Sequence, residues 1–325
     1  MVDFRRSRTR EVGVVLVLAL LVVDGVLVVM ALRNQPEPPT VTVMDDPPPV
    51  TPTETPTRTA TRTPTATPTQ TSTPTPEEEP LDPGTPRELP LSVLDADTAV
   101  RGTPGSCADG GGSVEITEDG GANWTAFDIE DLAVVRVRIT STDLFFIGAD
   151  TECREDLFRN RERGETWTPS GSTRGAWHLV GDPNLSEVHA PPDSIVPGPC
   201  RDVGAGIVEL EGMDDVAAYL LCSDGSVYLT GDAANSWDPV GTVLGARAMG
   251  LAEGQPLVAA TGVEDCDGLA VQDLTPEGPT EVGCVEGAAG DGVALGFADD
   301  QVGFLLAGGA TWTTGDGGAN WTRVA

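Results

Sequence analysis

The residues able to do chemistry in this 325-residue chain are few: two histidines, two tyrosines, six cysteines and a scatter of carboxylates on turns. A zinc site needs His and Cys at ligand spacing, and His178 and His189 each stand alone, read as isolated surface side chains. A serine nucleophile wants a Gly-x-Ser-x-Gly elbow and a base, and the chain has no such elbow and no credible base beside one. Calcium takes hard oxygen ligands. Asp109-Gly110, Asp224-Gly225, Glu264-Asp-Cys-Asp267-Gly268 and Asp299-Asp300 offer them, with Asp265 and Asp267 the best pair. None of these matches a calcium-loop sequence, and Asp-Gly is also an ordinary hairpin turn. Calcium at Asp265 and Asp267 is thus the one metal left open, and no other cofactor is expected.

The elements that must position these residues are announced by a repeated phrase. It reads Thr117-Glu-Asp119-Gly-Gly121-Ala-Asn-Trp124, Asn160-Arg-Glu162-Arg-Gly164-Glu-Thr-Trp167, Thr230-Gly-Asp232-Ala-Ala234-Asn-Ser-Trp237 and Thr314-Gly-Asp316-Gly-Gly318-Ala-Asn-Trp321. The skeleton is Ser/Thr-x-Asp-x-Gly-x-x-Trp, and each copy follows a short β-rich run. Repetition at this spacing points to stacked units. The Asp accepts backbone hydrogen bonds, the Gly supplies a positive φ, and the Trp buries a large ring beside the turn. The phrase resembles the Asp-box, or bacterial neuraminidase repeat, of sialidase-like and photosystem-assembly-factor-like β-propellers. The resemblance implies an all-β propeller with these hairpins between the third and fourth strands of each blade. In such families the box is structural, so the fold by itself carries no function.

Five segments fit a four-stranded blade, and residues 171–205 are left over as a long insertion or a degraded sixth blade, giving five or six blades. An even cysteine count in an exported domain implies disulfides. Strand alternation puts Cys107, Cys153, Cys200, Cys222, Cys266 and Cys284 on the face away from the boxes. The expected pairing is Cys107–Cys153, Cys200–Cys222 and Cys266–Cys284. The stretch 171–205 joins two blades on that same face and carries Trp177, His178 and His189, the candidate binding residues of a long loop on a rigid scaffold.

Residues 12–32 form an apolar run long enough for a bilayer, which takes about 20 residues. Arg5, Arg6, Arg8 and Arg10 precede it, so residues 1–11 are expected in the cytoplasm and the rest outside. Asp24 is costly within such a span. Residues 33–87 read as an extended Thr/Pro stalk, with Thr at every odd position from Thr51 to Thr75. At about 3.1 Å per residue it would reach on the order of 150 Å. Residues 88–325 are the expected propeller. From Glu77 onward 12 Arg stand against 44 acidic residues, and the chain has no Lys. A charge of −32 argues against nucleic acid, whose footprint is basic.

The Asp-box resemblance raises sialidase chemistry, which would need three arginines around a carboxylate, a Tyr–Glu nucleophile and an Asp acid. The nearest string to the sialidase Arg-Ile-Pro motif is Phe158-Arg-Asn-Arg161, without the Pro. Tyr219 sits in an apolar run with Leu220 and Leu221 and reads as core. The expected role is therefore a membrane-anchored, non-enzymatic module that binds an envelope protein or glycan. The alternative is a sialidase-like glycan hydrolase using acidic residues in the propeller channel.

Overall fold

The computed structural model describes residues 89–325 apart from 108, 130–131, 162, 164–165, 181–185 and 325. The tail, the span read at 12–32, the stalk at 33–87, and Glu162 and Gly164 of the second phrase lie outside the described residues. Among the described residues no helix is long and apolar enough to cross a membrane.

The described residues form a six-bladed β-propeller. Blade 1 takes β1 (Leu91–Val93), β2 (Ala99–Thr103), β3 (Ser113–Thr117) and β4 (Thr125–Phe127). Blade 2 takes β5 (Ala133–Ile139), β6 (Asp143–Ala149), β7 (Glu155–Arg161) and β8 (Thr168–Gly171). Blade 3 has three strands only: β9 (His178–Leu179), β10 (Glu187–Ala190) and β11 (Ser194–Pro197). A short 3-10 helix, Pro199–Val203, leads into blade 4: β12 (Ile207–Gly212), β13 (Ala218–Cys222), β14 (Ser226–Thr230) and β15 (Asp238–Thr242). Blade 5 takes β16 (Ala246–Ala252), β17 (Gln255–Ala260), β18 (Gly268–Thr275) and β19 (Gly278–Glu286). Blade 6 takes β20 (Ala294–Phe297), β21 (Gly303–Ala307), β22 (Ala310–Thr314) and β23 (Thr322–Arg323).

Strand chemistry explains the layering. The second strands of blades 4 and 6, Ala218-Tyr-Leu-Leu-Cys222 and Gly303-Phe-Leu-Leu-Ala307, are buried along their whole length. A strand covered on both faces reads as a continuous apolar run rather than an alternating one. Outermost strands such as β8 are exposed throughout. The ring closes by packing: β1 lies against both β5 and β20, and β16 against both β12 and β20. Close approach there needs small residues. A Cβ at Gly250 of β16 would sit 2.7 Å from the carbonyl oxygen of Leu295 on β20.

The leftover stretch 171–205 is therefore a blade and not a free loop. Its position also differs from expectation. Cys222 pairs with Ile207 at the start of β12, so the β12–β13 turn lies at the opposite end from the disulfides. The Trp177 indole donates to the Asp214 carbonyl on that turn at 2.7 Å, which places residues 174–177 on the side of the repeated turns.

Two of the expected bridges are formed, Cys200–Cys222 and Cys266–Cys284. The Cys107–Cys153 bridge is not. Each of these two residues sits on a turn closed within its own blade. Ser106 and Gly110 exchange backbone hydrogen bonds of 2.9 and 2.7 Å around Cys107, and the Cys153 amide donates to the Asp150 carbonyl at 2.9 Å.

Candidate functional site

The repeated turns do what their residue types dictate. In the first, the Thr117 hydroxyl donates to Asp119 (2.9 Å) and accepts from the Gly121 amide (2.8 Å), while Asp119 accepts from the Asn123 backbone and side-chain amides (2.8 and 2.7 Å). Thr314, Asp316, Gly318 and Asn320 repeat the pattern. In the third copy Thr230, Asp232 and Ser236 do so with Ala234 at φ 62°, a non-glycine in the left-handed region. These bonds hold the Asp119, Asp232 and Asp316 carboxyls below the ordinary carboxylate range; the largest cause is the Asn123 side chain for Asp119, the Ser236 amide for Asp232 and the Asn320 side chain for Asp316. The Trp rings flank the turns differently. Trp124 lies 4.2 Å under the Arg101 guanidinium, Trp167 meets Phe146 edge-on at 4.7 Å, and Trp321 donates to the Gly318 carbonyl at 2.8 Å. Trp237 packs on the core shared by blades 3 and 4. All of this is spent on holding hairpins.

Trp177, His178 and His189 are brought together, but inside blade 3. They are 5, 1 and 5% exposed. His178 and His189 pair across β9 and β10 and stack with ring centres 4.4 Å apart. Both Nδ1 atoms face the Ala176 carbonyl at 3.2 and 3.0 Å. His178 Nε2 meets the Glu155 carboxylate of blade 2 at 2.6 Å, and His189 Nε2 approaches Asp193 at 3.4 Å. The reading of two isolated surface histidines is corrected: they are a buried polar pair that ties blade 3 to blade 2. Asp265 and Asp267 lie on the β17–β18 turn. Among the described residues no three His, Cys, Asp or Glu side chains form a group able to hold a metal.

A cleft of about 380 Å³ opens to solvent where blades 2, 3 and 4 meet. Register explains its wall. Arg138, Phe145 and Arg159 are cross-strand partners, as are Arg136, Ile147 and Leu157, so these six side chains share one face of blade 2. The opposite face carries Val137, Phe146 and Leu144 into the core shared with blade 1. Because blade 3 is short, the first face is covered incompletely. Trp177, Arg174, Met213, Asp214 and Asp215 complete the cleft from blades 3 and 4.

Its electrostatics are mixed. Arg136 spans to blade 4, donating to the Leu210 carbonyl (2.8 Å) and to Glu211 (3.3 Å). Burial pushes the Glu211 carboxyl up, and Arg136 and Arg138 pull it back. Arg159 is held by Asp143 at 2.7 Å and lies over Phe145 at 5.5 Å. Arg174 pairs with Asp193 at 2.7 Å. The sequence carries little sign of this wall, because the Arg-x-Arg at 136–138 becomes a site only when blade 3 fails to cover it. The period-2 alternation Val-Arg-Val-Arg-Ile at 135–139 was the available signal.

The central channel offers less. Among the innermost strands of the four-stranded blades only β12 carries acids, Glu209 and Glu211. The space beside them is about 50 Å³. Tyr219 is 8% exposed and its hydroxyl pKa is raised by burial, as a core residue's is.

No family model and no curated protein matches the chain. Solved structures do. A GH74 xyloglucanase from Xanthomonas campestris is 18% identical, with a TM-score of 0.30, over 72% of this chain and 38% of its own. YCF48 from Cyanidioschyzon merolae is 14% identical, with a TM-score of 0.39, over 74% of this chain and 85% of its own. A protein of unknown function from Bacteroides thetaiotaomicron is 11% identical, with a TM-score of 0.47, over 70% of this chain and 69% of its own. This chain thus spans well under half the length of the xyloglucanase. The propeller assignment rests on the chain's own strand order.

Proposed function

We propose that the propeller is a non-enzymatic binding module of the cell envelope, taking a protein or glycan in the cleft between blades 2, 3 and 4. In this reading residues 12–32 anchor it in the membrane, residues 33–87 form the stalk, and the amino terminus is cytoplasmic. The observation that carries the binding role is the cleft itself: a pocket of ligand size, mostly apolar with a few charged groups, is the usual form of a binding site. Binding at the edge of an Asp-box propeller fits the structural use of the boxes, which leaves the seams between blades for recognition.

The hydrolase reading would want two carboxylates flanking a bound sugar. Glu211 is already engaged by Arg136, and the channel beside Glu209 is too narrow for a sugar ring. That favours the binder.

The test is capture from solubilised envelope with the full-length protein, run beside Met213→Glu. Met213 lines the cleft and is 39% exposed, so the substitution alters the site without touching the core. A component held by the wild type and lost from a variant of equal melting temperature is the expected result. The same components on both proteins, or none on either, would refute the reading.

A further inference from the structure

We propose that the cleft recognises the carboxyl terminus of a peptide whose last side chains are apolar, with Arg138 seating the carboxylate; the proposal rests on the binding reading above. The argument begins with charge. The chain carries a net charge of −32, yet four arginines, Arg136, Arg138, Arg159 and Arg161, occupy one face of blade 2. Of the three arginines lining the cleft, Arg136 is committed to blade 4 and Arg174 to Asp193; on the same face but outside the lining, Arg159 is held by Asp143, and Arg161 lies beyond it. Arg138 is exposed and makes no hydrogen bond or ion pair among the described residues. A guanidinium binds a carboxylate through two parallel N–H donors. The Arg138 charge acts on Glu211 through space, but its N–H donors are untaken among the described residues, and in a strongly anionic surface such a group is where an anion lands with least repulsion.

The remainder of the lining selects the body of the ligand. Beside Arg138 lie Phe145, Ile147 and Leu157, and across the cleft is the exposed Met213. Asn, Gln, Ser and Thr are absent from the lining, and the Trp177 ring is buried with its N–H already donated. A sugar stacks on an exposed aromatic face, which the buried Trp177 ring does not offer, whereas an apolar peptide end fits the strip of Phe145, Ile147 and Leu157. A cleft of about 380 Å³ holds two or three residues of that kind.

The experiment titrates full-length protein with a pool of dansylated tripeptides carrying Leu, Val, Ile, Met or Phe at the last two positions. The pool is used once with free carboxyl ends and once amidated. The free acids should bind at least tenfold tighter than the amides. Arg138→Gln should erase that preference at an unchanged melting temperature, and Arg138→Lys should restore part of it. Equal binding of acid and amide, or an acid preference that survives Arg138→Gln, overturns the proposal. So does Arg138-dependent binding of oligogalacturonate where the peptide acids fail, which would assign the seat to a glycan. If the acids fail while an envelope component is still lost from Met213→Glu, the ligand class falls and the binding role stands. If both experiments fail, both fall.

Discussion

Gly121 and Gly318 hold the same place in two copies of one phrase, with φ of 90° and 94°, yet their surroundings differ. A Cβ at Gly121 would sit 2.6 Å from Thr311 Cγ2, whereas at Gly318 the nearest atom is 3.6 Å away. Gly318→Ala should therefore cost about 1–2 kcal/mol for the left-handed backbone alone. Gly121→Ala should cost about 1–3 kcal/mol more from overpacking. Denaturant unfolding of the two variants checks the difference, and equal midpoints would show that blade 1 does not press on β22. Trp177 supplies a second contrast. Trp177→Ala should cost about 3–5 kcal/mol as a large core truncation. Trp177→Phe should keep most of the packing and lose about 1 kcal/mol with the hydrogen bond to Asp214. The sequence singled out Trp177, His178 and His189 as candidate binding residues of a loop, and the structure buries all three. Their solvent exposure was not legible, because burial of a short strand depends on what packs over it.

At the scale of the element, each repeated turn is a carboxylate cage. Asp119, Asp232 and Asp316 have folded pKa values below 3.8, the ordinary Asp value. A depressed folded pKa contributes stability that is fully present above the unfolded value and is lost as pH falls through the folded one. The melting temperature should thus decline on acidification below about pH 4. The triple variant with Asn at these positions should start lower and show a flatter acid limb. An acid limb unchanged in the triple variant would place the acid sensitivity elsewhere. Blade 3 shows the reverse device. It ends on an edge strand, β11, and the Gly198 amide donates to Ser186 at 2.7 Å, which sets the register so that position 197 faces outward. Pro197 has no N–H to offer there, a common guard against pairing with another chain. The three strands remain three.

For the whole molecule, the bridges and the ring decide how the blades cohere. Removing Cys200–Cys222 or Cys266–Cys284 by paired Ser substitution should each cost about 2–4 kcal/mol, read as a lowered unfolding midpoint. Non-reducing peptide mapping should recover both bridges, and Cys153, exposed and unbridged, should react with a thiol reagent in the folded state. Recovery of a Cys107–Cys153 peptide would contradict the closed turns described for blades 1 and 2. The sequence by itself determined the all-β class, the hairpin chemistry of the repeated phrase and two of the three cysteine pairings, because turns, strand alternation and spacing are local and leave direct residue signatures. It left the blade number open, misplaced residues 174–177, and showed nothing of the cleft. Those were decided by tertiary structure: a blade of three strands uncovers a neighbour's face, and whether Arg138 meets solvent or a fourth strand depends on residues far away in the chain.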